Sequence, residues 1–235
     1  MVKGMIKKIL FYPPLAQLLL DLILKINSKT YFWASTFAIS LSKTKEHPKH
    51  GILKYKEWFL DRCQPDDVVL DVGCNTGSML ELMGKKVRYG YGIDIVKSHI
   101  DQAKKNNSTN NIEFIHGDAT TFDYSNLQPI TLITLSNVLE HIDKRVDFLT
   151  QIIKKVNWKN GYAPKILIRV PTIERDWISV FKKERGLDYR LDQTHYIEYT
   201  ERELINDLNK SGIEVNSICQ RFGEIYVVGS VILGE

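Results

Sequence analysis

Three carboxylates and two glycines are the residues of this 235-residue chain whose types and spacing point most directly to chemistry. In VVLDVGCNTGSML, Val68 to Leu80, an apolar run ends in Asp71. It then breaks into Gly73-Cys74-Asn75-Thr76-Gly77 before a second apolar run resumes. Gly73 and Gly77 allow backbone conformations that a Cβ hinders, and they let a ligand approach the main chain. Asn75 stands where a middle glycine often occurs, and asparagine is among the few other residues that accept positive φ. Asp94 ends the run GYGID, and Asp118 follows IEFIH and Gly117. A carboxylate at a second strand end is positioned to accept from two ribose hydroxyls. Asp118 can accept from the exocyclic amine of adenine while the Ala119 backbone N–H meets a ring nitrogen. Together the three acids suit an adenosine.

A dinucleotide is excluded by counting. A phosphate grip needs glycines in a G-x-G-x-x-G spacing, and from Gly73 the chain offers Gly73, Asn75 and Ser78. No basic residue stands beside the turn to replace them, and Asp71 would repel a phosphate. An acidic first turn suits an ammonium group, so the expected ligand is an amino-acid nucleoside.

A second group of candidates lies in Ser136-Asn137-Val138-Leu139-Glu140-His141. His141 titrates near neutrality, and Glu140 is expected to orient it, which makes the pair a candidate general base. The stretch PTIERDWISVFKKERGLDYRLDQTHYIEY is rich in charge and aromatics. It is expected to roof an acceptor site, with Arg175, Asp176, Trp177, Arg190 and His195 as candidate contacts. His195 is the strongest of these, because it precedes the final helix and falls near the His141 segment.

The elements that must position these residues follow from periodicity. Short apolar runs at 68–72, 87–93, 112–116, 130–135 and 165–170 are expected as buried strands, with helices over 77–84, 97–106 and 143–156. Such alternation implies parallel strands joined by crossover helices on both faces. Thr200 to Glu203 forms a capping box for a helix to about Lys210. The runs 213–221 and 225–233 are separated by three residues, too few for a crossover, so they are expected as antiparallel neighbours.

Residues 1–62 are expected as a helical extension or lid on a domain at 63–235, with turns at Asn27-Ser28 and around His47-Pro48. That first quarter holds 11 Lys/Arg against 4 Asp/Glu, a net +7, so the remainder carries −3 of the overall +4. Lys3, Lys7 and Lys8 precede an apolar run, Ile9 to Ile26, interrupted by Pro13-Pro14 and Asp21. The run lacks a clear cleavage site and falls short of a clean spanning helix. It is expected either to pack on the domain or a second subunit, or to lie on an anionic membrane surface. Cys63, Cys74 and Cys219 match no metal-ligand spacing and suggest no disulfide framework, which fits a reducing cytoplasm.

VVLDVGCNTG, GIDI, GDATTFD and LSNVLEHI, in that order, resemble the motifs of class I S-adenosylmethionine-dependent methyltransferases over roughly residues 50–230. The resemblance implies an α/β, doubly wound, seven-stranded sheet of order 3-2-1-4-5-7-6 with strand seven antiparallel. It implies S-adenosylmethionine as cofactor, with Asp71, Gly73, Cys74, Asn75 and Gly77 at the methionine part. Asp94 and Ile95 would serve the ribose side, Asp118 and Ala119 the adenine, and Asn137 the strand-four end. Ubiquinone-type O-methyltransferases and small-RNA 3′-terminal 2′-O-methyltransferases resemble the chain at that strand end, where Glu-x-x-Glu-His supplies metal ligands. Here Asn137 replaces the first carboxylate, and an amide is a poorer ligand for Mg²⁺, so no metal is expected. The N-terminal basic excess forms no groove with spaced aromatics, so no nucleic-acid partner is expected. The expected acceptor is a hydroxyl of a small molecule, glycan or lipid-linked intermediate. An RNA ribose methyltransferase and a non-catalytic nucleoside-binding subunit are the alternatives.

Overall fold

The computed structural model describes residues 12–43 and 46–232. Lys3, Lys7, Lys8 and Ile9 of the N-terminal run, and Leu233 of the last expected strand, lie outside the described residues. Seven strands form one sheet: β1 (Val68–Val72), β2 (Tyr89–Asp94), β3 (Ile112–His116), β4 (Leu132–Ser136), β5 (Lys165–Pro171), β6 (Ile213–Arg221) and β7 (Glu224–Val231). Their order is β3-β2-β1-β4-β5-β7-β6. β7 runs antiparallel to both β5 and β6, and the other pairings are parallel. This is the expected doubly wound sheet.

Composition accounts for the order. β1 is buried along its whole length, as a central parallel strand covered on both faces must be. Val68, Leu70 and Val72 face one hydrophobic cluster and Val69 the other, following the two-residue alternation of a strand. The edge strand β3 exposes Glu113 and His116. Helices α1 (Pro13–Leu41), α2 (Pro48–Leu53) and α3 (Tyr55–Asp61) precede the sheet. Within it come α4 (Ser78–Gly84), α5 (Lys97–Asn106), α6 (Arg145–Lys155), α7 (Trp177–Glu184) and α8 (Glu201–Lys210). The expected capping box is formed, with Thr200 Oγ1 accepting from the Glu203 N–H while the Glu203 carboxylate accepts from the Thr200 N–H.

The first helices depart from expectation in one respect. No turn forms at Asn27-Ser28, because α1 continues through both for 29 residues. The Ser28 hydroxyl donates back to the Leu24 carbonyl, which removes the side chain from turn formation. At His47-Pro48 the chain does turn: His47 caps α2, its Nδ1 accepting from the Lys49 N–H. α3 carries Trp58 and Phe59 into the same cluster as Val69, Leu80 and Met83. α1 is tied to α7 by Asp21–Arg185 at 2.9 Å and by Lys182 Nζ donating to Ser28 Oγ at 2.7 Å.

Candidate active site

A cleft of about 1410 Å³ opens beyond the carboxyl ends of β1 to β4. Pockets for a single small ligand commonly measure roughly 300–1,000 Å³, and this cleft is larger. Asp71, Gly73, Cys74, Asn75, Asp94, Ile95, Asp118, Ala119 and Asn137 line it, and His141 stands on the same wall.

The first turn is stitched to the second strand. Gly73 and Cys74 N–H groups both donate to the Ile93 carbonyl, at 2.8 and 3.1 Å. Asp94 completes the join: its Oδ2 accepts from the Asn75 N–H and its Oδ1 from the Val96 N–H, each at 2.8 Å. Each carboxylate oxygen keeps a second lone pair for a ligand. Asn75 adopts φ 50°, and its Oδ1 accepts from the Thr76 N–H, so asparagine serves the left-handed position.

Backbone conformation and packing both require glycine at the two positions. Gly73 has φ 69°, and a Cβ there would meet Val138 Cγ2 at 2.5 Å. Gly77 has φ 80°, and a Cβ there would meet Phe114 Cζ at 2.5 Å. Gly77 is absent from the cleft lining. The Cys74 thiol is buried in the hydrophobic cluster with Leu80 and Phe114, and burial pushes its pKa up.

Asp71 is buried with one oxygen partnered. Its Oδ1 accepts from the Thr134 hydroxyl at 2.7 Å, and its Oδ2 has no partner. Burial pushes the carboxyl up to about 7, with Asp94 adding repulsion. Asp118 uses Oδ1 to accept from the Thr120 N–H and hydroxyl. The Ala119 carbonyl accepts from the Tyr124 hydroxyl at 2.7 Å.

At the strand-four end, Asn137 takes φ 56° and its N–H donates to the Arg169 carbonyl at 2.8 Å. His141 follows on a single 3₁₀ turn, Leu139–His141. Its Nδ1 lies 3.0 Å from the Thr194 hydroxyl, which donates to Asp192 Oδ1 at 2.7 Å. A hydroxyl has one proton. With that proton directed at Asp192 Oδ1, the hydroxyl accepts from His141 Nδ1–H, and Nε2 is left with its lone pair. Burial lowers the His141 pKa, and the neighbouring His195 lowers it further. Both effects favour the neutral imidazole. The Thr194 N–H and hydroxyl in turn hold the Asp192 carboxyl below its ordinary range.

Glu140 does not orient His141. Its side chain is buried, neither carboxylate oxygen has a hydrogen-bond partner, and burial pushes it up to about 8. His195 is absent from the cleft lining and packs edge-on against His141, with ring centroids 4.7 Å apart. Its Nδ1 lies 3.3 Å from Glu198 Oε1, and Glu198 pairs with Arg175. Glu140, His141 and His195 do converge: each can present one ligand atom within 4.8 Å of the others.

None of the five roof candidates, Arg175, Asp176, Trp177, Arg190 and His195, lines the cleft. Arg175 is a strut between Glu198 and the carbonyls of Thr172 and Tyr189. Asp176 caps α7 through the Ser179 N–H. Trp177 is 69% exposed and outside the cleft lining. Arg190 holds the loop through Asp188 and the His195 carbonyl. The roof residues that reach the cleft are Asp192 and Tyr196. Neither is among the site residues expected from the sequence, and nor are Thr194, Tyr55 and Arg169. The one available signal was Asp192-Gln-Thr194, an acid and a hydroxyl two residues apart ahead of His195.

Comparison with known proteins agrees with this geometry. The family model described as a methyltransferase domain matches residues 44–218. The ubiquinone biosynthesis O-methyltransferase of Schizosaccharomyces pombe is 31% identical over 112 residues, covering 43% of this chain and 38% of that protein. An uncharacterised protein of Methanocaldococcus jannaschii is 32% identical over 93 residues, covering 38% of this chain and 36% of that protein. The chain thus spans less than two-fifths of the length of either relative. Among solved structures, the magnesium protoporphyrin IX methyltransferase of Synechocystis superposes with a TM-score of 0.62 at 14% identity. The match covers 90% of this chain and 99% of that one.

Proposed function

This chain belongs to the methyltransferase domain family, and from that premise we propose that it methylates a hydroxyl of a small, glycan or lipid-linked acceptor, with S-adenosylmethionine as donor. One observation carries the reading: the acids Asp71, Asp94 and Asp118 share a cleft with the imidazole of His141, backed by Thr194 and Asp192. The relative from Schizosaccharomyces pombe, named as an O-methyltransferase, supports oxygen as the accepting atom.

The residues present fit the donor. The unpartnered Asp71 Oδ2 matches an ammonium, Asp94 keeps two acceptor positions for a ribose, and Asp118 with Ala119 borders the cleft where adenine would lie. When bound, S-adenosylmethionine supplies a methyl group on a positively charged sulfur, an electrophile that needs mainly alignment. His141 Nε2 takes the proton of the accepting hydroxyl, and Thr194 with Asp192 stabilises the imidazolium that results. Incubation with methyl-labelled donor and an extract of the source cell tests the reading. Label in an alkali-stable methyl ether is the expected result, and label confined to nitrogen or carbon overturns it.

Donor affinity should depend on pH through Asp71. Its carboxyl, raised to about 7, must ionise to hold an ammonium. Affinity therefore falls as pH drops below 7, approaching about tenfold per unit once the carboxyl is mostly protonated. Calorimetry between pH 5.5 and 7.5 checks this, with Asp71→Asn expected to bind weakly and without that slope. A flat wild-type profile contradicts the role.

A second reading of the strand-four end is favoured by the convergence of Glu140, His141 and His195 and by the two unpartnered oxygens of Glu140. A carboxylate and two imidazoles form a donor set for a divalent cation. Chelation separates the readings: with His141 as the base, activity after exhaustive chelator treatment stays within about twofold of the untreated enzyme. Loss on chelation with recovery on adding back a divalent metal favours the cation.

The lipid-linked acceptor draws support from α1. Leu18, Leu22, Ile26, Trp33, Phe37 and Leu41 are exposed at four- and seven-residue spacings, which puts them along one face. Lys25 and Lys29 lie in the same helix, within a basic N-terminal quarter. Among the described residues no helix is long and apolar enough to cross a membrane, so the helix would lie in the interface. Ile39, near its end, lines the cleft. Flotation with anionic vesicles should carry the protein upward, and the double variant Trp33→Glu, Phe37→Glu should remain at the bottom. Equal flotation of both overturns the contact.

A further inference from the structure

Arg169 enters the cleft from β5, one strand beyond β4 and in register with Ser136. It is 4% exposed, and its Nε and Nη1 have no hydrogen-bond partner. The Tyr55 ring covers one face of the guanidinium, its centroid 3.9 Å from Cζ. The nearest acid, Glu224, approaches Nη1 at 3.5 Å, beyond the 2.7–2.9 Å usual for charged pairs.

Glu224 is already engaged elsewhere. Its Oε1 pairs with Lys49 at 2.8 Å, and its Oε2 accepts from the Tyr226 hydroxyl at 3.1 Å. One carboxylate therefore faces two cations. The other groups nearby do not restore the balance. Glu140 makes no ion pair with Arg169, and neither of its carboxylate oxygens has a hydrogen-bond partner. Glu46 on the same wall is paired with Lys56 at 2.8 Å. His50 is pushed toward its neutral form by burial and by Arg169 itself. A nearly buried cation without a matching anion is costly, and here its surroundings open onto a ligand cleft.

We propose that Arg169 is an oxyanion-binding residue of the cleft, taking a carboxylate of a bound ligand. Two ligands could present that group. The donor's methionine end carries a carboxylate beside the ammonium assigned to Asp71, and Asp71 and Arg169 lie on strands separated only by β4. The acceptor would present its own carboxylate next to Asn137, whose N–H is bonded to the Arg169 carbonyl. The proposal rests on the methyltransferase reading only for the identity of the donor.

Calorimetry with three probes tests it on wild type, Arg169→Met and Arg169→Lys. 5′-Methylthioadenosine lacks the amino-acid end and should bind all three proteins alike, which verifies that the variants are folded. If the donor owns the carboxylate, S-adenosylhomocysteine binds Arg169→Met roughly 10- to 100-fold more weakly than wild type, with Arg169→Lys between them. If the acceptor owns it, S-adenosylhomocysteine binds all three equally. In that case acetate titrated into the saturated wild type binds, and acetate titrated into saturated Arg169→Met does not. Equal S-adenosylhomocysteine binding together with no acetate binding to wild type overturns the proposal. Failure of wild type to bind either nucleoside would instead overturn the donor assignment.

Discussion

Asp94→Ala is expected to weaken S-adenosylhomocysteine binding by roughly 100-fold or more while the protein stays folded. The magnitude follows from the bonds removed. Hydrogen bonds to a charged group contribute about 1.5–3 kcal/mol each, and two ribose hydroxyls would donate to this carboxylate. The same side chain pins the first turn, because Oδ2 holds the Asn75 N–H and Oδ1 the Val96 N–H. The variant therefore loses the ligand contacts and also the connection between the β1 turn and the β2 end. Asp94→Asn should recover little: an amide must turn its NH₂ toward one of those two N–H donors, where it cannot accept. His99→Ala is the matched control. Its Nδ1 lies 3.6 Å from Asp94 Oδ1, beyond hydrogen-bond range, and its loss should change affinity less than about threefold. Unchanged binding by Asp94→Ala in calorimetry would remove the ribose assignment.

His141→Ala is expected to lower the single-turnover rate by about 10²–10⁴, the usual worth of a positioned general base, with donor affinity within twofold of wild type. Thr194→Val leaves the imidazole in place but removes the hydroxyl that fixes its tautomer. The loss of one net hydrogen bond sets that effect at about tenfold or less. His195→Phe keeps an aromatic ring against His141 and should cost less than His195→Ala. A different ordering follows if the three converging residues hold a cation. Then Glu140→Gln and His195→Phe each abolish activity, and neither resembles Thr194→Val.

The sheet was legible because its strands are buried on both faces and written as nearly unbroken apolar runs. VVLDV and IEFIH coincide with β1 and β3 to the residue. The three acids were legible because each ends such a run. Other features depend on contacts that local pattern does not encode. Nothing near Gly77 reveals that Phe114, 37 residues later, fills the space where its Cβ would stand. Glu140-His141 reads as an adjacent pair, yet the 3₁₀ turn sends the acid into the interior and the imidazole to the cleft. Its true support, Thr194, is 53 residues away. Arg169 hides in KILIRVP as one charge in an apolar strand, and only the pairing of β5 with β4 and β7 brings it beside the cleft. Asn27-Ser28 looked like a turn because both residues favour turns, but the helix prevails where Ser28 bonds back to Leu24.

The pH dependence of methyl transfer under single-turnover conditions, with donor saturating and the acceptor identified by label transfer, tests most directly whether a neutral His141 in this cleft takes the proton. Wild type should show a rate that rises with pH to a plateau, its midpoint below the ordinary imidazole value of about 6.5 because burial and His195 both disfavour the charged ring. His141→Gln should be slow throughout and lack that rise. A wild-type rate independent of pH, or a variant that keeps the same midpoint, would contradict the assignment of His141 as the base.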